Sequence, residues 1–368
     1  VYKRQSYTNG EWEESYMFAS FNKPLVSRYT EWTGGASGEY HFSQNAYNSD
    51  SLYRSDFDYS FGKLDLWAGY NFGWNHDRAH DDEDRIRHFL AARFYIAQFN
   101  GRPGKFENVY NYRYADDYGL LFSHTLYRQN YRRTNFVYGF GISEDVPSGL
   151  NTSLTAGWTK KQQRERLYAG FEANWDHYRK SGSYFSPGLR FSGYSASGRA
   201  EDVALLVNAD YFSRLSILSP NWLLRHFLSA SYTAQFKTSL SGPLFLSSDF
   251  GLRSYGADTL NGRARSTFRY ESVFINLHKV LGFRFAPFVF ADISALKSTS
   301  GMSSTYPALG AGVRTRNENL VFGTIELRGY FFPNPPDGLR NWKVELKSNL
   351  RFRFSSNFVN KADVLSFN

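Results

Sequence analysis

Residues 283–294 read FRFAPFVFADIS and alternate two kinds of side chain. One face of the alternation is apolar and comprises Phe283, Phe285, Pro287, Val289, Ala291 and Ile293. The other face mixes charged, hydroxyl and aromatic groups and comprises Arg284, Ala286, Phe288, Phe290, Asp292 and Ser294. Successive side chains of a β-strand point to opposite faces. The stretch therefore predicts a strand with one apolar face and one mixed polar face.

Two further segments repeat this alternation. In residues 342–354 the apolar face comprises Trp342, Val344, Leu346, Leu350, Phe352 and Phe354, interrupted by Ser348. In residues 166–178 it comprises Leu167, Ala169, Phe171, Ala173 and Trp175. Strands of about 9–13 residues with this pattern are long enough to cross a bilayer at a tilt.

The composition excludes several classes of protein. Aromatic residues make up 19% of the 368 residues, which favours strands. The mean hydropathy is −0.51, and the absence of any run of about 18 apolar residues excludes helical membrane spans. The absence of Cys excludes disulfides and thiolate metal sites. The net charge of +9 is spread over alternating strand positions rather than clustered, so we predict no nucleic-acid partner.

The alternation predicts sixteen strands, an even number of the kind that bacterial outer-membrane barrels have. Residues 48–62 remain open as an extra pair of strands or a long connection. The predicted strands lie near 14–24, 29–43, 63–75, 85–99, 115–129, 133–145, 149–160, 163–178, 183–196, 201–215, 224–239, 263–277, 282–296, 304–315, 318–331 and 342–354.

The connections agree with a barrel. Short turns at 144–149 and 315–319 are predicted on the periplasmic side, and the longer segments 75–85 and 240–262 are predicted outside. The alternative is a large soluble β protein, whose strands are typically shorter. The predicted fold class is therefore all-β, a sixteen-stranded antiparallel transmembrane β-barrel.

The two ends of the chain need separate treatment. Residues 1–5, VYKRQ, are the translation of GTG TAT AAG AGA CAG, a transposon-end adapter, and we excluded them from the fold as an artefact. Residues 6–13 are then a residual linker, and 14–354 form the barrel. Residues 355–368 are a C-terminal tail, or else the segment 363–367 belongs to the last strand.

A Leu-Arg-x-Tyr tetrapeptide occurs twice. Residues 327–330, LRGY, lie inside an alternating run in which Glu326 and Arg328 share one face, so we interpret Arg328 as a lumen-facing arginine on a strand. Residues 252–255, LRSY, lie instead within DFGLRSYGADTLNGR, residues 249–263, a glycine-rich loop between the predicted eleventh and twelfth strands. The loop copy is therefore the candidate functional motif.

With these features the chain resembles the BamA/TamA-like superfamily of outer-membrane insertases and translocases, the bacterial surface antigen family barrels, which include the two-partner secretion transporters. The hallmark of that family is a (Val/Ile/Leu)-Arg-Gly-(Phe/Tyr) motif in a sixth outer loop that folds into the barrel. Its arginine pairs with the acid of a Phe-x-Asp motif on the thirteenth strand. The resemblance implies an inward-folded loop motif and lumenal partners for it. The motif comprises Leu252, Arg253, Ser254 and Tyr255, with Ser for Gly, and the partners are Asp292, Phe290 and Glu271.

Other segments carry the same resemblance. Residues 21–25 and 32–35 resemble the first hairpin of the family barrels, and 144–149 resembles a recurrent periplasmic turn. The last strand resembles a barrel-targeting signal through Lys347, Phe352 and Phe354, with Asn349 at its usual Gly position. Family members also carry periplasmic POTRA domains upstream, which we expect to be missing here.

The implied function is the insertion of proteins into, or their movement across, the outer membrane of a diderm bacterium. The implied partners are outer-membrane lipid and lipopolysaccharide, unfolded outer-membrane or secreted proteins, and periplasmic proteins bound through the missing domains. Two alternatives remain open. One is a passive porin-like channel with 240–262 as its constriction loop, and the other is the membrane anchor of a missing N-terminal passenger domain.

Nothing in the sequence indicates an enzyme, a cofactor or a metal site. The eight His are scattered, and no Gly-x-Ser-x-Gly motif accompanies them. Residues 76–84, HDRAHDDED, are the densest group of metal-capable side chains. Interleaved arginines and a predicted loop position favour a solvated surface segment, with contact to lipopolysaccharide as a further hypothesis.

Overall fold

The computed structural model describes residues 2–8, 11–25, 27, 29–43, 58–75, 85–137, 143–256, 260–317, 324–336, 338–348 and 359–368. Within these ranges no helix has the length and hydropathy needed to cross a membrane. The strands are β1 (Tyr2–Thr8), β2 (Glu11–Lys23), β3 (Trp32–Ser43), β4 (Tyr59–Phe72), β5 (Arg87–Gly101), β6 (Asp117–Asn135), β7 (Ser143–Lys161), β8 (Arg164–Tyr178), β9 (Tyr184–Ala196), β10 (Arg199–Phe212), β11 (Ser216–Ser219), β12 (Trp222–Phe236), β13 (Leu244–Phe245), β14 (Asn261–Gly262), β15 (Ala264–Asn276), β16 (Phe283–Lys297), β17 (Ser303–Asn317), β18 (Ile325–Phe331) and β19 (Trp342–Ser348).

Seventeen of these strands form one antiparallel sheet in which neighbours along the chain are neighbours in space. Because β10 and the short β11 both pair with β12, the sheet is sixteen strands wide, with β1 and β19 as its first and last strands. β13 and β14 form a separate two-stranded ribbon. The predicted all-β antiparallel sheet of sixteen strands is therefore confirmed. Among the pairings of the described residues none joins β1 to β19.

The predicted strand 133–145 is wrong. β6 continues to Asn135 and β7 begins at Ser143, and their register runs without a break from Asn135↔Ser143 to Asp117↔Lys161. Tyr2–Thr8, predicted to be an artefact up to residue 5 and a linker beyond it, forms β1 and pairs with β2. The width of sixteen is thus reached with a different set of strands.

The predicted periplasmic turn at 144–149 is also wrong, because these residues lie in β7. Proline suggested the turn, since it removes a backbone donor from a ladder. Here Pro147 pairs with Tyr131 of β6, whereas the pairing of β7 with β8 begins only at Gly149. Pro147 therefore has a sheet neighbour on one side only, where a missing N–H is tolerated.

This correction moves one of the predicted outer loops. With one strand fewer between them, segments 73–86 and 237–263 emerge from opposite ends of the antiparallel sheet. Counting β1 nevertheless leaves 237–263 between the eleventh and twelfth strands, β12 and β15, and makes β16 the thirteenth. The hairpin predicted at 21–25 and 32–35 is present between β2 and β3, where Lys23 pairs with Gly34, but with β1 counted it is the second hairpin of the sheet.

The two faces of the sheet differ in exposure and chemistry. In β16 the face that carries Ala286, Phe288 and Ser294 is buried, and we call this side of the sheet the inner face. The opposite, outer face exposes large apolar side chains. On β6, β7 and β8 these include Phe122, Leu154 and Leu167, which are 56%, 58% and 64% exposed.

The sheet is curved, because strands far apart in its order meet over the inner face. Arg225 of β12 donates to the carbonyl oxygen of Asn135 at the end of β6, over 3.4 Å. The Tyr110 hydroxyl, in the connection between β5 and β6, donates to the carbonyl oxygen of Leu240 in the connection between β12 and β15. The inner face is therefore concave.

Two glycines of β17 make room for aromatic rings on this concave side. A Cβ at Gly310 would collide with the Gly329 carbonyl oxygen and the Phe290 ring. We expect Gly310→Ala to lower the free energy of unfolding by about 1–3 kcal/mol, because the added methyl overpacks this position. The measurement is urea unfolding in detergent. Gly38→Ala, whose Cβ would meet nothing within 4 Å, is the matched control, and an equal loss in both variants would contradict the expectation.

Candidate functional site on the inner face

The motif loop, residues 246–256, is built around one close backbone approach. The Leu252 amide donates to the Leu246 carbonyl oxygen over 2.7 Å. A Cβ at Gly251 would collide with that same carbonyl, so this position needs glycine. Arg253–Tyr255 then form a 3₁₀ turn, which ends at Gly256 with a φ of 61°, the left-handed region that favours glycine. Residues 249–256, DFGLRSYG, thus fold into a compact turn, which we call the hook.

Two side chains of the hook are buried against the sheet. Leu252 and Tyr255 are each 2% exposed and belong to the apolar cluster of the inner face. The Tyr255 hydroxyl donates to the Pro307 carbonyl oxygen of β17 over 2.6 Å, and its ring packs 4.7 Å from that of Phe332. Burial, with a smaller contribution from Tyr306, raises the pKa of Tyr255 to about 12. The hydroxyl therefore remains a neutral donor at physiological pH.

The backbone carbonyls of the hook are held by strand side chains. The donors come from β12, β15 and β19, so side chains of three strands form hydrogen bonds with one loop. Arg269 Nη1 donates to Asp249 O over 3.3 Å, Ser231 Oγ to Phe250 O over 2.9 Å, and Lys343 Nζ to Ser254 O over 3.1 Å.

Ser254 occupies the position at which the family motif has glycine. It lies in the 3₁₀ turn and is not among the residues with positive φ. It is also buried. The Ser-for-Gly departure therefore places no left-handed backbone on a residue with a Cβ.

Arg253 reaches the charged part of the inner face. Its side chain is 62% exposed and forms an ion pair with Asp249, four residues earlier. A cavity of about 320 Å³ is lined by Arg253 together with its predicted partners Asp292 and Glu271. The structure thus brings the predicted groups into one cavity, and the Arg253–Asp292 pair stays a prediction.

A cluster of two Glu and two Arg lies on the inner face. We define this charge cluster as Glu271 of β15, Arg314 of β17, and Glu326 and Arg328 of β18. Arg314 donates to Glu326 over 2.7 Å and to Glu271 over 2.6 Å. Arg328 donates to Glu326 over 2.9 Å and also to Glu271. Each carboxylate therefore accepts from both guanidinium groups.

Aromatic rings form the floor of the charge cluster. The Arg328 guanidinium carbon lies 4.7 Å from the Phe288 ring centroid and 4.6 Å from that of Phe290. Arg314 lies 4.6 Å over Phe288. The rings thus stack on both guanidinium groups, and cation–π attraction adds to the ion pairs.

Two predicted partners of Arg253 are therefore engaged elsewhere. Phe290 lies under Arg328, and Glu271 accepts from Arg314 and Arg328. The register explains this, because Gly310 and Gly312 of β17 lie opposite Phe290 and Phe288 of β16. With no side chain there, Arg328 extends across β17 to the rings and to β15.

Sequence reasoning identified the setting of LRGY but not its importance. The tetrapeptide does lie on a strand, β18, as predicted. Arg314 and Glu326 were missed as a site. Their signal is the direct pairing Arg314↔Glu326 in the β17–β18 register, which alternation within a single strand does not reveal.

The remaining predicted site residues are less informative. Lys347 lies in β19 and forms an ion pair with Glu345 over 2.8 Å. Phe352, Phe354 and Asn349 lie outside the described residues, as do residues 76–84. The predicted targeting signal therefore stays a prediction.

Residues 359–368, VNKADVLSFN, lie on the inner face and carry no strand. We call them the inner segment. Its residues line two cavities, of about 560 and 420 Å³, between themselves and the strands. The second cavity is also lined by Asp249 and Arg253 of the motif loop. The inner segment and the motif loop thus share the concave side of the sheet.

Comparisons with known proteins give one structural likeness to report. The chain is similar in structure to CdiB from Escherichia coli, with a TM-score of 0.42 and 14% sequence identity. The alignment covers 90% of this chain and 58% of that chain, so the chain spans less than two thirds of CdiB. No protein-family model and no curated protein matches the sequence.

Proposed function

We propose that the chain is the membrane-spanning barrel of a BamA/TamA-like protein in the outer membrane of a diderm bacterium. In this proposal it inserts proteins into that membrane or moves them across it, without covalent catalysis. The observation that carries the proposal is the reversed partition of side chains, with large apolar groups exposed and charges buried inside.

The outer face supports a lipid environment. Phe285, Val289 and Ile293 alternate with the buried residues of β16 and are 37%, 48% and 45% exposed. Comparable side chains are exposed on most other strands, so the apolar belt continues across the sheet, whereas soluble monomers rarely expose large contiguous apolar patches. An alternating belt of this kind is what the lipid-facing side of a transmembrane barrel requires.

The curvature of the sheet supports closure. Contacts between the sixth and eleventh strands over the inner face mean that the sheet already wraps around its contents. A sheet in a bilayer must satisfy the backbone groups of its edge strands, which pairing of the first strand with the last accomplishes. We therefore propose that β1 or β2 meets the last strand at a seam.

The motif loop fits the inward-folded sixth outer loop of the family. It joins the eleventh and twelfth strands, and Asp292 lies on the thirteenth. In the proposal Arg253 is shared between Asp249 and Asp292, and Tyr255 anchors the hook to β17. The substrates are unfolded outer-membrane or secreted polypeptides, and outer-membrane lipid with lipopolysaccharide contacts the apolar belt.

Arg253→Ala tests this function. Because the motif loop organises the interior rather than merely narrowing it, we expect Arg253→Ala to reduce assembly or export of substrate proteins in cells by about tenfold, the effect of losing 1.4 kcal/mol. The measurement is the amount of folded outer-membrane or secreted protein. Arg133→Ala, which removes an 83% exposed side chain, is the control.

A passive channel is the second candidate, and the inner cavities of about 560 and 420 Å³ favour it. Single-channel conductance in planar bilayers separates the two. An Arg253→Ala variant that conducts more while substrate assembly stays normal would replace the proposed function with a channel.

A further inference from the structure

The inner segment is held along its whole length by contacts with the strands. Near its start, Val359 and Ala362 are buried in an apolar cluster with Phe89, Leu121 and Tyr168. Near its other end, Phe367 is buried with Leu206 and Leu244. The two clusters are built from different strands, β5, β6 and β8 for the first and β10 and β13 for the second, and the segment between them is not paired as a strand.

The charged residues of the inner segment bind an ion pair that joins two strands of the sheet. Asp65 of β4 and Arg93 of β5 form a bidentate ion pair, with N–O distances of 2.9 and 2.8 Å. Lys361 of the segment binds Asp65, and Asp363 binds Arg93. The strands therefore recognise a basic residue followed two positions later by an acidic one.

The backbone of the segment is recognised as well. The Leu365 amide donates to the Tyr168 hydroxyl oxygen over 2.8 Å. Arg190 Nη1 donates to the Ser366 carbonyl oxygen and Arg265 Nη2 to that of Phe367, each over 3.0 Å. Three successive residues thus present main-chain groups to side chains of β8, β9 and β15. Contacts to main-chain groups are available to any extended polypeptide, because every residue except proline carries the same main-chain groups.

Within the described part of the chain, Arg265 is bound by neutral oxygen atoms rather than by a carboxylate. It is almost fully buried, and among the described residues no carboxylate forms an ion pair with it. Its donors go instead to carbonyl and side-chain oxygens, which are those of Phe245, Ser248, Thr233, Phe367 and Asn368. A buried cation is costly unless its donors are satisfied, so removing the segment would leave Arg265 without two of its acceptors.

We propose that the inner face is a binding groove for an extended polypeptide, and that the inner segment occupies it in cis. The groove takes an unpaired segment with a basic residue, an acidic residue two positions later and an aromatic residue four positions after that. The natural competitor of the inner segment for this groove is a segment of an inserted or exported protein. Only this identification of the competitor rests on the proposed function.

The inner segment is covalently attached to the chain that forms its groove, and this attachment affects how the proposal is tested. A segment attached to its own site has an effective concentration in the millimolar range, so a free peptide competes poorly with it. The direct test therefore uses a variant that lacks residues 359–368, with its strand content checked by circular dichroism. The ligand is a fluorescent synthetic peptide, VNKADVLSFN, and binding is followed by anisotropy in detergent.

We expect saturable binding that weakens at least tenfold when Lys361→Asp and Asp363→Lys are combined in the peptide. A Ser366→Ala peptide is the matched control, because that side chain is exposed, and its affinity is expected to stay within twofold. No binding by a folded shortened variant, or equal binding of the charge-reversed peptide, would overturn the proposal.

A second measurement on the full-length chain serves if the shortened variant does not fold. The chain has no Cys, so Ser366→Cys accepts a single spin label. We expect the spectrum to show a spin label with restricted motion, and the label to become mobile when Arg265→Met is added. The mobile fraction of the label should also grow when excess VNKADVLSFN peptide is present. A label that is equally mobile in both variants rules the groove out. Peptide binding together with normal assembly by Arg253→Ala would retain the groove and reject the proposed function.

Discussion

Arg314→Met is expected to lower the free energy of unfolding by about 3–5 kcal/mol, because removing one partner of a buried ion pair leaves an uncompensated charge. Arg314 and Glu326 are 4% and 2% exposed. The substitution keeps the volume of the side chain but leaves Glu326 and Glu271 to share the single guanidinium of Arg328. The loss is therefore electrostatic rather than a packing defect.

Urea unfolding in detergent measures this loss, and a double-mutant cycle with Glu326→Gln assigns it to the pair. Neutralising Glu326 in the Arg314→Met background removes the orphaned charge, so the double variant should be more stable than the sum of the two single losses by about 1–3 kcal/mol. Additive losses would show that the cluster does not act as a unit. Arg133→Ala, at an exposed ion pair, should change stability by less than about 0.5 kcal/mol.

Tyr255→Ala is the second large effect, with an expected loss of about 3–5 kcal/mol for truncating a buried aromatic side chain. It removes the ring that packs against Phe332 and Tyr306 and the hydroxyl that binds the Pro307 carbonyl. Because Tyr255 anchors the motif loop, we also expect faster proteolysis of residues 246–256 than of the strands.

Tyr255→Phe is the matched control for this anchor. It keeps the ring and loses one hydrogen bond, so the expected cost is about 0.5–1.5 kcal/mol. The raised pKa of Tyr255 adds a pH test. The folded state favours the neutral phenol, so this contribution is complete below the ordinary pKa of 10 and is lost as the pH rises through about 12. Equal rates of cleavage of the motif loop in the wild type and in Tyr255→Ala would show that Tyr255 does not anchor the loop.

Strand identity was readable from sequence because alternation is local. Residues 283–294 determine a strand, and the structure has β16 at Phe283–Lys297. The same argument placed Arg328 on a strand and Arg253 in a loop. It failed at 144–149, where Pro147 and Gly149 indicate a turn but lie in the ladder between β6 and β7. Whether a proline ends a strand depends on whether a second neighbour needs its N–H, and that is a fact of sheet geometry.

The charge cluster was not readable from sequence, for a related reason. Glu271, Arg314 and Glu326 each look like an inward polar residue of a separate strand. They meet because Gly310 and Gly312 leave space across β17 and because the register sets Arg314 opposite Glu326. Register follows from the pairing of whole strands, so it is invisible within one of them.

The sequence by itself therefore determined the all-β class and the apolar and polar sides of its strands, since these follow from a period of two, whereas its width of sixteen was reached with one wrong strand and one missed strand. Only the tertiary structure decided which strands fill that width, which acids meet which arginines, and that residues 359–368 lie on the inner face. Those outcomes depend on groups such as Lys361 and Asp65, nearly three hundred positions apart, meeting on a concave surface. Only the folded sheet provides that surface.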